Sequence, residues 1–196
     1  MKFTQNIKNL QALNFMQHAN LKVGVLGGTF DPAHLGHLMI SLQAIKTYRF
    51  DYIIWLVAKH NPLKAESKND IFRRAERAQS VATHPRIIVS TAEYDLGYCY
   101  IYDSLKALIK RFPKVKFSWL MGIDNAASFQ KWYRYKEIPK LCDIIIFDRP
   151  CPTRLVNTNS FSLKPEACVD KNQTNNIIIN RNSLCAISST EIRAHE

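Results

Sequence analysis

The hydrophobic positions of this chain change period repeatedly. Short continuous runs of Ile, Val, Leu and aromatic residues fall at 21–26, 52–57, 86–90, 115–121 and 143–147, and each reads as a strand buried on both faces. Between them the apolar residues move to helical spacing, over 35–48, from 70 to about 82, over 102–112, and in shorter pieces from 124 to about 141. Asn69 and Asp70 are good caps for the second of these helices. Strand and helix in strict alternation predict βαβ units, and so an α/β fold with a Rossmann-like, doubly wound parallel sheet.

The flanks read differently. Phe3, Ile7, Leu10 and Leu13 are spaced as in a short amphipathic helix, so residues 1–20 are expected to be an N-terminal extension to a single domain over 21–196. Residues 148–175 carry Pro150, Pro152 and Pro165 among many Asn, Ser and Thr, and predict a long irregular excursion. A last short strand follows at 177–179. Ser188, with Glu191 three residues on, is a capping box that should open a terminal helix.

A doubly wound sheet binds its ligands beyond the carboxyl ends of its strands. The turn after the first strand reads Gly27-Gly28-Thr29-Phe30-Asp31-Pro32-Ala33-His34-Leu35-Gly36-His37. It has neither the G-x-G-x-x-G spacing of a dinucleotide fingerprint nor the Gly-Lys-Ser/Thr of a P-loop. Its physics still suits an anion. Two glycines allow close backbone approach, a helix begins near Leu35 with its N–H groups facing the same place, and His34 and His37 project from one side of the first helical turn. A zinc site would need further ligands, and no third His or Cys lies nearby in sequence.

This turn resembles the signature of bacterial nicotinate-nucleotide adenylyltransferases, within the H-x-G-H nucleotidyltransferase superfamily. Three later segments are similar to that family in order: Asn61-Pro62-Leu63-Lys64 with Arg73 or Arg74 downstream; Gly122-Ile123-Asp124 followed by Phe129-Gln130-Lys131-Trp132-Tyr133; and Ile187-Ser188-Ser189-Thr190-Glu191-Ile192-Arg193. The resemblance covers about 22–193. It implies a fold of the nucleotidyltransferase type and adenylyl transfer from ATP to nicotinate mononucleotide. His34, His37 and Arg193 would be catalytic. Gly27, Gly28, Thr29, Phe30, Gly36, Lys64, Ser188, Ser189 and Thr190 would hold ATP and its phosphates. Ile101, Gly122, Asp124, Trp132 and Tyr133 would hold the mononucleotide. Mg²⁺ would arrive on the ATP phosphates, with no metal site made by the protein itself.

One departure concerns the acceptor. Tyr100-Ile101-Tyr102-Asp103-Ser104 aligns with a Y-T-x-D-T pattern whose threonine helps recognise the nicotinate carboxylate. Ile101 has no hydroxyl, so nicotinamide mononucleotide stays open as the acceptor. Phosphopantetheine, used by shorter relatives without these motifs, is disfavoured.

Composition adds three points. The net charge is +11, which attracts polyanions. The basic residues are scattered and match no nucleic-acid-binding motif, so a non-catalytic nucleic-acid-binding protein is the weaker alternative. Five cysteines without a C-x-x-C pair suit reduced thiols. No apolar run is long enough to span a bilayer or to form a signal core, so the expected location is the cytoplasm, with no membrane partner.

Overall fold

In the computed structural model, residues 9–59, 70–98, 100–147 and 177–180 are described. The strands are β1 (Lys22–Gly28), β2 (Tyr52–Val57), β3 (Ile87–Ser90), β4 (Lys116–Gly122), β5 (Asp143–Phe147) and β6 (Ile177–Asn180). They form one six-stranded sheet in the order β3-β2-β1-β4-β5-β6, and every neighbouring pair is parallel. The helices are α1 (Leu35–Tyr48), α2 (Ile71–Val81), α3 (Ala92–Leu96), α4 (Ile101–Arg111), α5 (Ile123–Ala127) and α6 (Ile138–Leu141). The expected Rossmann-like doubly wound sheet is present.

Alternation along the strands sorts the core onto two faces. Ile53, Trp55 and Val57 of β2 point to one face, where they meet Ala44 and Ile45 of α1 and Ile71, Ala75 and Ala78 of α2. Ile54 and Leu56 point to the other, with Trp119 and Met121 of β4, and Tyr102, Leu105 and Leu108 of α4. Because α1 leaves β1 toward one face and α5 leaves β4 toward the other, the crevice between the carboxyl ends of β1 and β4 is the switch point.

The boundaries differ from the sequence reading in a few places. β1 runs on through Gly27 and Gly28, which pair with Leu56 and Val57, and β4 runs on to Gly122, which pairs with Phe147. Residues 11–16 form a 3-10 helix (Gln11–Met16) that buries Leu13 and Met16 in the α4-side core. The spacing of three suits that tighter helix, in which residues i and i+3 eclipse. Leu10 N–H donates to Asp95 Oδ2 at 2.8 Å, and Arg111 donates to Asn14 Oδ1 at 2.9 Å, so this segment is tied to α3 and α4. Asp70 caps α2 as expected, accepting from Phe72 N–H at 2.9 Å. The excursion over 148–175 and the capping box at Ser188 lie outside the described residues. No helix among those described is long and apolar enough to cross a membrane.

Candidate active site

The turn after β1 is held by its own side chains. Phe30 adopts a left-handed backbone (φ 49°) that costs a non-glycine residue about 1 kcal/mol, and its buried ring, stacked on Trp55 with centroids 5.2 Å apart, holds it there. Trp55 in turn donates its indole N–H to Ser41 Oγ at 2.7 Å, and Ser41 donates to the carbonyl of His37 at 2.8 Å. This chain of contacts seats the first turn of α1 against β2.

His34 and His37 cap α1. His34 is the extended N-cap residue, and its Nδ1 accepts the Gly36 N–H at 3.1 Å. The Nδ1 of His37 accepts the His34 N–H at 3.2 Å. The two rings lie 3.9 Å apart, and His37 also leans on Phe30 at 4.8 Å. The consequence for chemistry is direct. A ring nitrogen that accepts carries no proton, so in each imidazole the proton resides on Nε2. The capping geometry thus makes both rings Nε2–H donors at the start of a helix, where its N–H groups and dipole already favour an anion.

The strand glycines divide into two kinds. A Cβ on Gly24 would come within 2.7 Å of Ile53 and within 2.8 Å of Leu120, and one on Gly27 within 2.0 Å of Trp119 Cη2, so packing requires both. A Cβ on Gly28 or Gly122 would meet only ordinary contacts, at 3.6 Å to Phe30 and 3.9 Å to Ile40. Both of these have ordinary backbones and stand at the carboxyl ends of β1 and β4. Among the described residues nothing demands a glycine there, and both positions stand at the switch point.

Across the crevice, Gly122 caps α5 and Asp124 lies exposed in its first turn. Trp132 is half-buried, edge-on to Trp119 at 6.1 Å and to Phe129 at 5.3 Å. Tyr133 packs against Tyr100, the rings tilted and 4.6 Å apart, which brings the Trp132-Tyr133 pair beside the start of α4, where Ile101 is the first residue. The N-cap of α4, Tyr100, makes no side-chain cap, so the Ile101 N–H lies at a helix start without that competitor. Lys64, Ser188, Ser189, Thr190 and Arg193 lie outside the described residues.

The pattern of the sequence did not single out Glu93, and left Arg73 and Arg74 undivided. Arg74 is 2% exposed and sits on the apolar stripe of α2 with Ile71, Ala75 and Ala78, a placement the helical spacing could have shown. Burial lowers the proton affinity of its guanidinium, and the nearby charges of Asp31, Asp70 and Glu93 oppose that shift. Glu93 is 3% exposed, and burial pushes its carboxyl up to about 6 against hydrogen bonds from Lys59 and Ser104 and the charge of Arg74. Folded Glu93 therefore holds a proton more tightly than the unfolded chain, whose carboxyl has the ordinary value of 4.5. The stability it contributes is present below pH 4.5 and is lost as pH rises through 6. Between those limits the wild type should lose about 2 kcal/mol relative to Glu93→Gln. Urea midpoints of both proteins across that range check this, and parallel curves would contradict it.

Cys142 is buried and unbridged, and burial pushes its thiol to about 12, which leaves it inert as a nucleophile.

Residues 25–195 match the cytidylyltransferase-like family model. The chain belongs to the cytidylyltransferase-like family. Within it, a relative from Cereibacter sphaeroides named "Probable nicotinate-nucleotide adenylyltransferase" is 42% identical over 128 residues, which are 65% of this chain and 69% of that protein. One of the same name from Parvibaculum lavamentivorans is 43% identical over 131 residues, 66% of this chain and 65% of that protein. The matches thus span about two thirds of each relative's length. Among solved structures, Plasmodium falciparum nicotinic acid mononucleotide adenylyltransferase complexed with NaAD aligns with a TM-score of 0.66 at 17% identity, over 89% of this chain and 83% of that one. That likeness establishes the nucleotidyltransferase type of Rossmann-like fold. The cytidylyltransferase-like match takes in both the histidine turn and the terminal Ser188–Arg193 motif.

Proposed function

We propose that this chain transfers the adenylyl group of ATP to nicotinate mononucleotide, releasing pyrophosphate and giving nicotinate adenine dinucleotide. The observation that carries the reading is the histidine pair: each Nδ1 accepts a backbone N–H, so each ring is a donor through Nε2 at the N-terminus of α1. The names of the relatives support the choice of substrates.

The nucleophile is a 5′-phosphate oxygen of the acceptor. It attacks the α-phosphorus of ATP in line, a new P–O bond forms, and the bond to the bridging oxygen of pyrophosphate breaks. A phosphate monoester has a second pKa of about 6 and is already ionised near neutrality, so no general base is needed. The protein must instead hold two anions in line and offset the growing charge. His37 would donate to the α-phosphate, and His34 would orient the phosphate and fix the turn. Gly28 and Gly122 would let the substrates approach the strand ends. Lys64, Ser188, Ser189, Thr190 and Arg193 are assigned phosphate and pyrophosphate by motif. A divalent cation would come with ATP, held by phosphate oxygens and water.

Ile101 favours one second reading, with nicotinamide mononucleotide as acceptor. The protein incubated with ATP, Mg²⁺ and equal amounts of the two mononucleotides is expected to give predominantly the deamido dinucleotide, resolved by chromatography. That outcome would mean that backbone N–H groups at the start of α4 suffice for the carboxylate. A predominance of NAD would overturn the acceptor and leave the chemistry standing.

A further inference from the structure

Two buried ionisable side chains, Arg74 and Glu93, bond to the segments that flank the crevice. The Arg74 guanidinium donates to the carbonyl of Thr29 at 2.6 Å, of Ala58 at 2.9 Å and of Lys59 at 3.3 Å. The Glu93 carboxylate accepts the Lys59 N–H on Oε2 at 2.8 Å and the Ser104 hydroxyl on Oε1 at 3.0 Å. Lys59 is the shared link: its carbonyl meets the arginine and its N–H meets the glutamate. Arg74 thereby holds the turn that carries His34 and His37 to the end of β2, and Glu93 holds that same strand end to the first turn of α4, where Ile101 sits. Ser104 is fully buried on that turn.

We propose that Arg74 and Glu93 are positioning residues that set the distance between the ATP side of the crevice and its acceptor side. The argument is geometric. In-line transfer needs the attacking oxygen and the α-phosphorus within near-attack range, and the two substrates are held by different segments. Segment 28–37 follows β1 and segment 100–104 comes after β3, and β2, whose end leads into Lys59, lies between those two strands in the sheet order. The described bonds that run from one to the other through Lys59 are those of Arg74 and Glu93. A guanidinium is the side chain suited to the task, since its planar fork reaches several carbonyls at once from a fixed position. An ammonium in its place is a single point.

The proposal rests on the adenylyl-transfer reading and is tested with Arg74→Lys and Ser104→Ala. The first keeps the charge and loses the fork. The second removes one hydroxyl and is mild enough to fold. Arg74→Lys should lower kcat about 100-fold, the scale of a misplacement near 1 Å, in protein that still unfolds cooperatively. Ser104→Ala should raise the KM for the mononucleotide about tenfold and leave the KM for ATP near wild type, because only the acceptor side is released. A purely structural role predicts a lower Tm with kcat and both KM values unchanged, and that result would overturn the proposal. Hydrogen exchange reads the same device without activity. Faster exchange over both 28–37 and 101–107 in Arg74→Lys supports it, and a change confined to α2 overturns it. Wild-type protein that transfers nothing would sink the reading of function and leave the exchange result to decide the positioning role.

Discussion

Replacing His37 with alanine is expected to reduce the turnover of adenylyl transfer by about 100- to 1,000-fold, the range for removing one preorganised donor from a developing charge. The ring has two jobs, and the experiment must separate them. Its Nδ1 accepts the His34 N–H and completes the cap of α1, so alanine also costs about 1 kcal/mol of stability. Asparagine at the same position places an acceptor near the site of Nδ1 and nothing near Nε2. His37→Asn should therefore recover most of the lost stability and none of the lost turnover. Thermal melts and steady-state rates on the two variants check both halves. Wild-type turnover in His37→Asn would show that Nε2 plays no part in the chemistry.

The second large effect concerns the glycines at the crevice. Gly27→Ala should destabilise the fold by about 3 kcal/mol or prevent folding, since the new Cβ would lie 2.0 Å from the indole of the buried Trp119. Gly122→Ala should fold with a stability within about 1 kcal/mol of wild type, the scale of a changed N-cap residue. Among the described residues its methyl would touch Ile40 alone, at 3.9 Å, at the end of β4 beside the crevice, so kcat/KM should fall at least about tenfold. The contrast is the point of the pair. One substitution tests packing and the other tests occupancy. A Gly122→Ala protein with unchanged kcat/KM would mean that substrates do not approach the end of β4.

Much of this was legible in the sequence, and the exceptions have physical causes. Hydrophobic period located the strand cores because parallel strands bury both faces. It stopped β1 at Leu26 and β4 at Met121, whereas ladder pairing continues through Gly27, Gly28 and Gly122. Backbone hydrogen bonds do not need a side chain, and a hydrophobic pattern cannot register a glycine. The five residues of α3 are too short to show a period. The turn with its two histidines was recognisable because its motif is contiguous in sequence and its ring-to-backbone bonds are local: Nδ1 of one ring meets an N–H two residues on, and Nδ1 of the other an N–H three residues back. Glu93 was not, because its partners Lys59 and Ser104 lie 34 and 11 residues away, and no local pattern marks such a bond.

The N-terminal segment has a consequence for how the chain is made. Leu13 and Met16 leave the ribosome before the six strands of the sheet, yet the partners of their neighbours come far later: Asp95 lies 85 residues beyond Leu10, and Arg111 lies 97 beyond Asn14. Closing loops of that length costs entropy that only non-local contacts can repay. The segment therefore has no seat until α4 has emerged. During that interval the apolar face that β1 and β2 present to it stays uncovered, and a nascent chain in that state displays the kind of surface that chaperones bind.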